Sequence, residues 1–402
     1  MKHAARVASQ FIHGSEAFAG GNEMIFPLTF REPYDASALW TAFERLVREN
    51  IELQRSYNNF QWTYCDALDR CLAELHDRYK EKFSEEELLT SYMPTGSGLP
   101  IRLARIDDSR AAMLVNHVFN NGATTLRWLE RLLAFYGGAP NDESRESVQP
   151  APWRMALGIA SVASYLATFL ARAGGAAHNT VDLSDGREPA PGTRYAVRAW
   201  RFTESQTAAI VAAAKRETLS VTEALTMWLA EKFFDARPAQ TRVCISVPTD
   251  LTAWAQPNEP GNHTGSLIVQ LFRGPGLTEQ IKNSFRWARS GVHLWLPQMI
   301  GLFSSDQALF RQFARKAALP IPQRAPFENF TFAVSSVGVI RGPLAIKYLS
   351  EISAFTKTQT IFLCAMTLDG RLSWRVCVAD GLFNPEEAFE IIDRVASRLR
   401  EL

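Results

Sequence analysis

One histidine carries the strongest chemical signal in this chain. His117 stands in the run Leu114-Val115-Asn116-His117-Val118-Phe119-Asn120-Asn121-Gly122. The apolar residues before it read as a buried strand, the Asn-Asn-Gly cluster breaks that strand, and Ala123 to Tyr136 reads as a helix. The imidazole therefore falls where a strand ends and a turn begins, held by backbone on one side and open to a cavity on the other. Imidazole titrates near neutral pH, so there it can act as a general acid or base. A lone histidine on an apolar strand also reads as a satisfied core residue. Helical N–H groups near Gly122 can orient a carbonyl or an anion beside it. The sequence offers no Gly-x-Ser-x-Gly nucleophile elbow, no His-Glu-x-x-His and no phosphate loop.

The elements around His117 follow from pattern and capping. Ile101–Ile106 and Ala111–Val115 read as a hairpin turning at Asp107-Asp108-Ser109, and its second strand delivers the histidine. The helix behind it carries a stripe of Leu126, Leu129, Leu132 and Leu133. Glu23 to Arg31 reads as an edge strand, because Pro27 argues against a central one. Asp35 caps a helix whose apolar face is Leu39, Phe43, Leu46 and Val47. Asp66 to Ser91 is helical in composition, with Glu85, Glu86 and Glu87 on a solvated face. Gly137 to Pro152 reads as a linker, and Gly174 to Pro191 as a second loose region.

The second half restarts the pattern. Arg198–Phe202 reads as a strand, and Thr203-x-x-Gln206 and Ser220-x-x-Glu223 are capping boxes that open helices. Arg242–Val247 is a strand running into Pro248-Thr249-Asp250-Leu251-Thr252, followed by Gly261-Asn262-His263-Thr264-Gly265 and the strand Leu267–Phe272. Thr278–Ser290 and Asp306–Ala318 read as helices. Asn329–Val334 is a strand ending at the turn Ser335-Ser336-Val337-Gly338. Asp369-Gly370 joins two strands as a tight hairpin, and Asn384-Pro385 opens a last helix with Phe389, Ile392, Val395 and Leu399 inward.

His-x-x-x-Asn-Gly at a strand end resembles the His-His-x-x-x-Asp-Gly signature of the chloramphenicol-acetyltransferase-like superfamily, which includes condensation domains, polyketide-associated acyltransferases and wax ester synthases. Val247-Pro248-x-Asp250-Leu251, Gly261-Asn262-x-x-Gly265, Ser335-Ser336-Val337-Gly338 and the closing hairpin plus helix resemble its later motifs, in the same order. The resemblance implies an α/β fold of two α+β half-domains, residues 1–178 and 179–402, forming a V around a central tunnel. It implies an acyltransferase of secondary or lipid metabolism, with His117 as the general base. A thioester donor, coenzyme A or a carrier protein's phosphopantetheine, enters from one side and an alcohol or amine acceptor from the other, with no permanently bound cofactor. Asn262 and His263 are then candidates to line the tunnel, and Ser335 and Ser336 to donate to the oxyanion.

Two positions depart from the signature. Asn116 replaces its first, supporting histidine, and Asn121 replaces the aspartate, which in relatives pairs with an arginine from the second half. That arginine falls at Thr252, so both members of the clamp are neutral here, a compensated replacement. The departures keep two other readings open. One is a non-catalytic member that binds a carrier protein or another partner. The other is a tunnel enzyme of cyclisation or dehydration.

The chain's 402 residues suit two half-domains, and 47% hydrophobic with 21% charged residues fit a soluble globular protein. Forty-three basic against 42 acidic residues give a net charge of +1 and no electrostatic reason for a nucleic-acid partner. Five cysteines form an odd set without metal-ligand spacing; reduced thiols and a cytoplasmic location follow. Met155–Ala171 is a run of 17 uncharged residues, at the short limit for a span. It reads first as a buried or lid-forming helix and second as a peripheral membrane contact. With Trp287, Trp295 and Phe303 it could wall an apolar acyl channel or simply be core.

Overall fold

A computed structural model of the chain describes residues 10–11, 23–58, 61–65, 67–90, 98–117, 122–139, 183, 194–250, 264–290, 331–356 and 361–402. In chain order the first elements are β1 (Gln10–Phe11), β2 (Glu23–Phe30), α1 (Ala36–Glu49), β3 (Arg55–Asn58), β4 (Gln61–Tyr64), α2 (Leu68–Tyr79) and α3 (Glu85–Thr90). β5 (Ile101–Arg105), β6 (Arg110–Asn116) and α4 (Gly122–Tyr136) follow. Asp35 caps α1 by accepting from the Ser37 and Ala38 N–H groups, so the helix starts where the sequence indicates. Leu39, Phe43, Leu46 and Val47 then fall on one fully buried face.

The later elements are β7 (Tyr195–Arg201), α5 (Glu204–Arg216), α6 (Val221–Ala236), β8 (Arg242–Asp250), β9 (Thr264–Phe272) and α7 (Leu277–Ser290). After them come β10 (Phe332–Ile340), α8 (Pro343–Tyr348), β11 (Leu349–Ile352), β12 (Phe355–Thr356), β13 (Ile361–Leu368), β14 (Arg371–Ala379) and α9 (Pro385–Arg400). Both expected capping boxes form, Thr203 with Gln206 and Ser220 with Glu223. Asn384 caps α9, and Asp369 and Gly370 turn the β13–β14 hairpin with positive φ at both residues.

Two larger sheets result. The first has the order β11-β2-β6-β5 with β12 also on β2, and its pairs are antiparallel. Strands β11 and β12 come from late in the chain and pair with β2 near its start. The second sheet has the order β7-β14-β13-β10-β8-β9. Its centre, β13-β10-β8, is parallel, while both flanks are antiparallel.

One face of the first sheet packs Phe26, Leu28, Met113 and Val115 against Leu39, Phe43, Leu132 and Leu133 of α1 and α4. Fully burying each such side chain stabilises by ~1.5–3 kcal/mol. The opposite face packs Ile25, Ala112 and Leu114 against Leu88 and Leu89 of α3, with Cys377 of β14. In the second sheet Trp374, Val376 and Val334 pack against α6 and α9. Cys364 and Met366, on the other side of β13, join the first core instead. The core is thus continuous from one sheet to the other.

Three expectations are corrected. β2 is central, although it contains Pro27. The Phe30 N–H donates to Ser109 on the β6 side, so by alternation Pro27 faces the other neighbour. There the ladder breaks between Ile352 and Phe355, and the Pro27 carbonyl accepts from Ser353, so no partner is missing an N–H. Ser335-Ser336-Val337-Gly338 is not a terminal turn but the interior of β10, where a bulge between Ser336 and Gly338 absorbs one residue and Gly338 adopts φ +85°. The helical stretch 66–91 is two helices, and Glu85 is not solvated: it pairs with Arg375 and, at 3.6 Å, with Arg110.

Candidate active site

His117 is the residue after the last rung of β6, in a turn, with its side chain half-buried. A strand partner on one edge and a hydrogen bond on the other fix the rung before it. Asn116 pairs with Glu23 of β2, and its N–H donates to the Pro100 carbonyl at 2.8 Å on the β5 side. Asn116 is itself buried. The strand that carries the histidine is therefore anchored on both edges up to its final residue.

A charged pair spans that same strand. Arg102 of β5 and Glu23 of β2 lie on the face shared with Asn116, and they meet at 2.6 Å with side chains 4% and 5% exposed. The Thr356 hydroxyl of β12 adds a bond to the Glu23 carbonyl. At the other end, the β5–β6 hairpin is closed by Asp107. Its carboxylate accepts from the Ser109 and Arg110 N–H groups, from the Ser109 hydroxyl and from the Arg110 guanidinium. Partial burial of Asp107 works against its charge, but the Arg110 and Ser109 bonds outweigh it and hold the carboxyl below its ordinary 3.8.

α4 begins at Gly122, five positions after His117. A Cβ at Gly122 would lie 3.3 Å from Val337 Cγ2, so the start of this helix sits directly on the β10 bulge. Further along α4, the Glu130 carboxylate accepts from the Leu344 and Ala345 N–H groups, tying the helix to α8.

The two serines occupy consecutive rungs just before the bulge, on opposite faces of β10. Ser335 stands beside Cys364, which belongs to the first core, and Ser336 beside Ala365, which belongs to the second. Burial pushes the Cys364 thiol up to about 12, against a hydrogen bond from the Ser335 side chain. Ser335 thus shares the face of Val337 and the α4 terminus, while Ser336 points to the opposite side of the sheet. Asn121, Thr252, Asn262 and His263 lie outside the described residues, as do Met155–Ala171, Trp295 and Phe303. The segment that holds Thr252, Asn262 and His263 leaves and re-enters the sheet at one rung, Asp250 opposite Thr264. Among the described residues no group of three or more His, Cys, Asp or Glu is placed to hold a metal ion, and no helix is long and apolar enough to cross a membrane.

At the level of sequence, no family model and no curated protein matches the chain. Solved structures do. The trichothecene 15-O-acetyltransferase of Fusarium sporotrichioides superposes with a TM-score of 0.68 at 11% identity, covering 97% of this chain and 95% of that one. Polyketide synthase associated protein 5 of Mycobacterium tuberculosis gives 0.62 at 14% identity, over 99% of both chains. The starter condensation domain of rhizomide synthetase gives 0.59 at 12% identity, over 98% of this chain and 94% of that one. The chain has the chloramphenicol-acetyltransferase-like condensation-domain fold. Reading the sequence placed His117 at the end of its strand but missed the Glu23–Arg102 pair. Both sit at alternate positions of amphipathic-looking strands, where a charge reads as solvent-facing. The available signal was that their shared face also carries Ile25, Ala112 and Leu114, too apolar for a solvated face.

Proposed function

We propose that the chain is an acyltransferase that moves an acyl group from a thioester to a hydroxyl or amine, with His117 as general base. The observation that carries this reading is the half-buried imidazole at the exit of a doubly anchored strand, followed by the N-terminus of α4. The fold is shared with an O-acetyltransferase. It is also shared with a condensation domain whose structure contains C8-CoA, which supports coenzyme A or a carrier-protein phosphopantetheine as donor. In this reading residues 1–178 and 179–402 are the two halves, donor and acceptor meet in a tunnel between them, and β11 and β12 are lent by the second half to the first.

The acceptor's oxygen or nitrogen attacks the thioester carbonyl carbon while its proton passes to His117. The tetrahedral oxyanion then collapses, the carbon–sulfur bond breaks, and the departing thiolate takes the proton back. A positioned base contributes ~10²–10⁴-fold to such a step, and orientation of the two substrates contributes more. In this reading Ser335, on the side of the α4 terminus, donates to the oxyanion.

The test is release of free thiol from acyl-coenzyme A with a panel of small alcohols and amines. The expected result is acceptor-dependent release that falls by at least ~10²-fold in His117→Ala while the circular dichroism spectrum is kept. Equal turnover by that variant overturns the assignment. The asparagines at 116 and 121 favour one other reading, a member that binds a carrier protein without catalysis. It predicts no turnover and the same carrier-protein affinity with and without His117.

A further inference from the structure

Two of the five cysteines touch. Cys65, between β4 and α2, lies 3.2 Å from Cys71, Sγ to Sγ. Both are half-buried and open to solvent, whereas Cys244, Cys364 and Cys377 are sealed in the core. Backbone bonds hold each of the two in place: the Cys65 N–H donates to Gln54 at 2.7 Å, and the Cys71 N–H to Ala67 at 3.0 Å in the first turn of α2. A disulfide requires ~2.05 Å between the sulfurs, so closure needs a movement of roughly 1 Å.

We propose that Cys65 and Cys71 form a reversible dithiol–disulfide site whose reagents are small disulfides of the glutathione class. Cys65, as thiolate, attacks one sulfur of glutathione disulfide; that S–S bond breaks and the first glutathione leaves, taking up the proton Cys65 released. Cys71 then gives its proton to solvent and attacks the Cys65 sulfur, and the second glutathione leaves with a proton. One S–S bond breaks in the reagent and one forms in the protein, and two electrons pass to the glutathione. The order follows from the surroundings of Cys71, where burial and then the contact with Cys65 push its thiol up to about 11. The raised thiol favours Cys71 as the resolving sulfur.

The cross-link joins two parts of the first domain layer. Cys65 follows directly on β4, which pairs with β3 and with Gln10–Phe11. Cys71 belongs to α2, whose Leu72, Leu75 and Tyr79 are buried in the first core. Oxidation fixes the start of α2 to that small sheet. Nothing in this step involves His117, so the site stands or falls independently of the acyltransferase reading.

The full-length protein is equilibrated in glutathione buffers of graded ratio, alkylated, and read by intact mass and peptide mapping. The expected result is loss of two hydrogens per chain in oxidising buffer, a single Cys65–Cys71 linked peptide, and full return in reducing buffer. Cys71→Ser is expected to hold one glutathione on Cys65, and Cys65→Ser to take up none at the same exposure. Cys65 and Cys71 both alkylated in the native protein at every ratio, while the urea-unfolded chain oxidises, overturn the site. A linked peptide through any other cysteine does the same, and a glutathione on Cys71 of Cys65→Ser overturns the mechanism as written.

Discussion

Glu23 and Arg102 reach across strand β6 from its two neighbours and close an ion pair 2.6 Å long over the residues that lead into His117. Both side chains are out of water, so breaking the pair is costly. Arg102→Met is expected to lower unfolding stability by up to about 3–5 kcal/mol, because it takes the arginine from a carboxylate that is out of water. Glu23→Leu combined with Arg102→Met should recover most of that loss, since an apolar pair of similar volume removes both desolvation penalties. Urea midpoints of the wild type, the single variant and the double variant test this. A double variant no more stable than Arg102→Met would show that the pair is not the source of the cost.

The two serines of the β10 bulge make opposite predictions, because strand alternation puts them on opposite faces. If Ser335 donates to the oxyanion, Ser335→Ala lowers kcat by ~10²–10³-fold with little change in KM. Ser336→Ala leaves kcat where it was. Steady-state kinetics of both variants with one acyl thioester decide it. Equal effects would mean that the bulge matters as a packing unit and not through one hydroxyl.

What the sequence made legible was local. Capping boxes at Thr203 and Ser220, the Asp35 cap and the Asp369-Gly370 turn are written in adjacent residues, and each forms as read. The strand–turn–helix around His117 was legible for the same reason. What escaped was set by distant partners. Pro27 looked disqualifying for a central strand until β11 and β12 left a gap opposite it. Arg102 looked solvated because its partner is 79 residues away. Glu85 sits in a run of three glutamates, and only the arrival of Arg375 from β14 singles it out. The fold class was read from the order of weak motifs, none of which alone specifies which sheet a strand joins.

Asp107 links the His117 hairpin to pH. Its folded-state pKa lies below the ordinary 3.8, so its carboxylate contributes stability that is complete above 3.8 and is lost as pH falls through the lower folded value. The melting temperature is expected to drop in that acid window. Asp107→Asn should start lower at neutral pH and lose less on acidification. Asp108, held below 3.8 by Arg105 and then Lys82, remains in that variant, so part of the acid slope persists. Parallel melting curves for wild type and Asp107→Asn would contradict the assignment.

Arg375 joins the two sheets with a weaker dependence on any single partner. Its guanidinium is 6% exposed and meets Glu85 of α3, with Glu351 of β11 at 3.7 Å. Burial draws its pKa down to about 10, which still leaves it charged at neutral pH. Each carboxylate also has a second cation: Arg110 for Glu85 at 3.6 Å, and the exposed Arg201 for Glu351 at 2.5 Å. Removing Arg375 therefore leaves each of its two carboxylates with a cation. Arg375→Met is expected to cost less than about 3–5 kcal/mol, the loss typical of breaking a buried pair with no second cation at hand. It should also make stability more sensitive to salt, because the remaining pairs reach solvent and are screened. Urea midpoints of Arg375→Met and Arg102→Met at low and at molar salt measure both effects. A loss in Arg375→Met as large as in Arg102→Met, and indifferent to salt, would mean that Arg110 and Arg201 do not take over the two carboxylates.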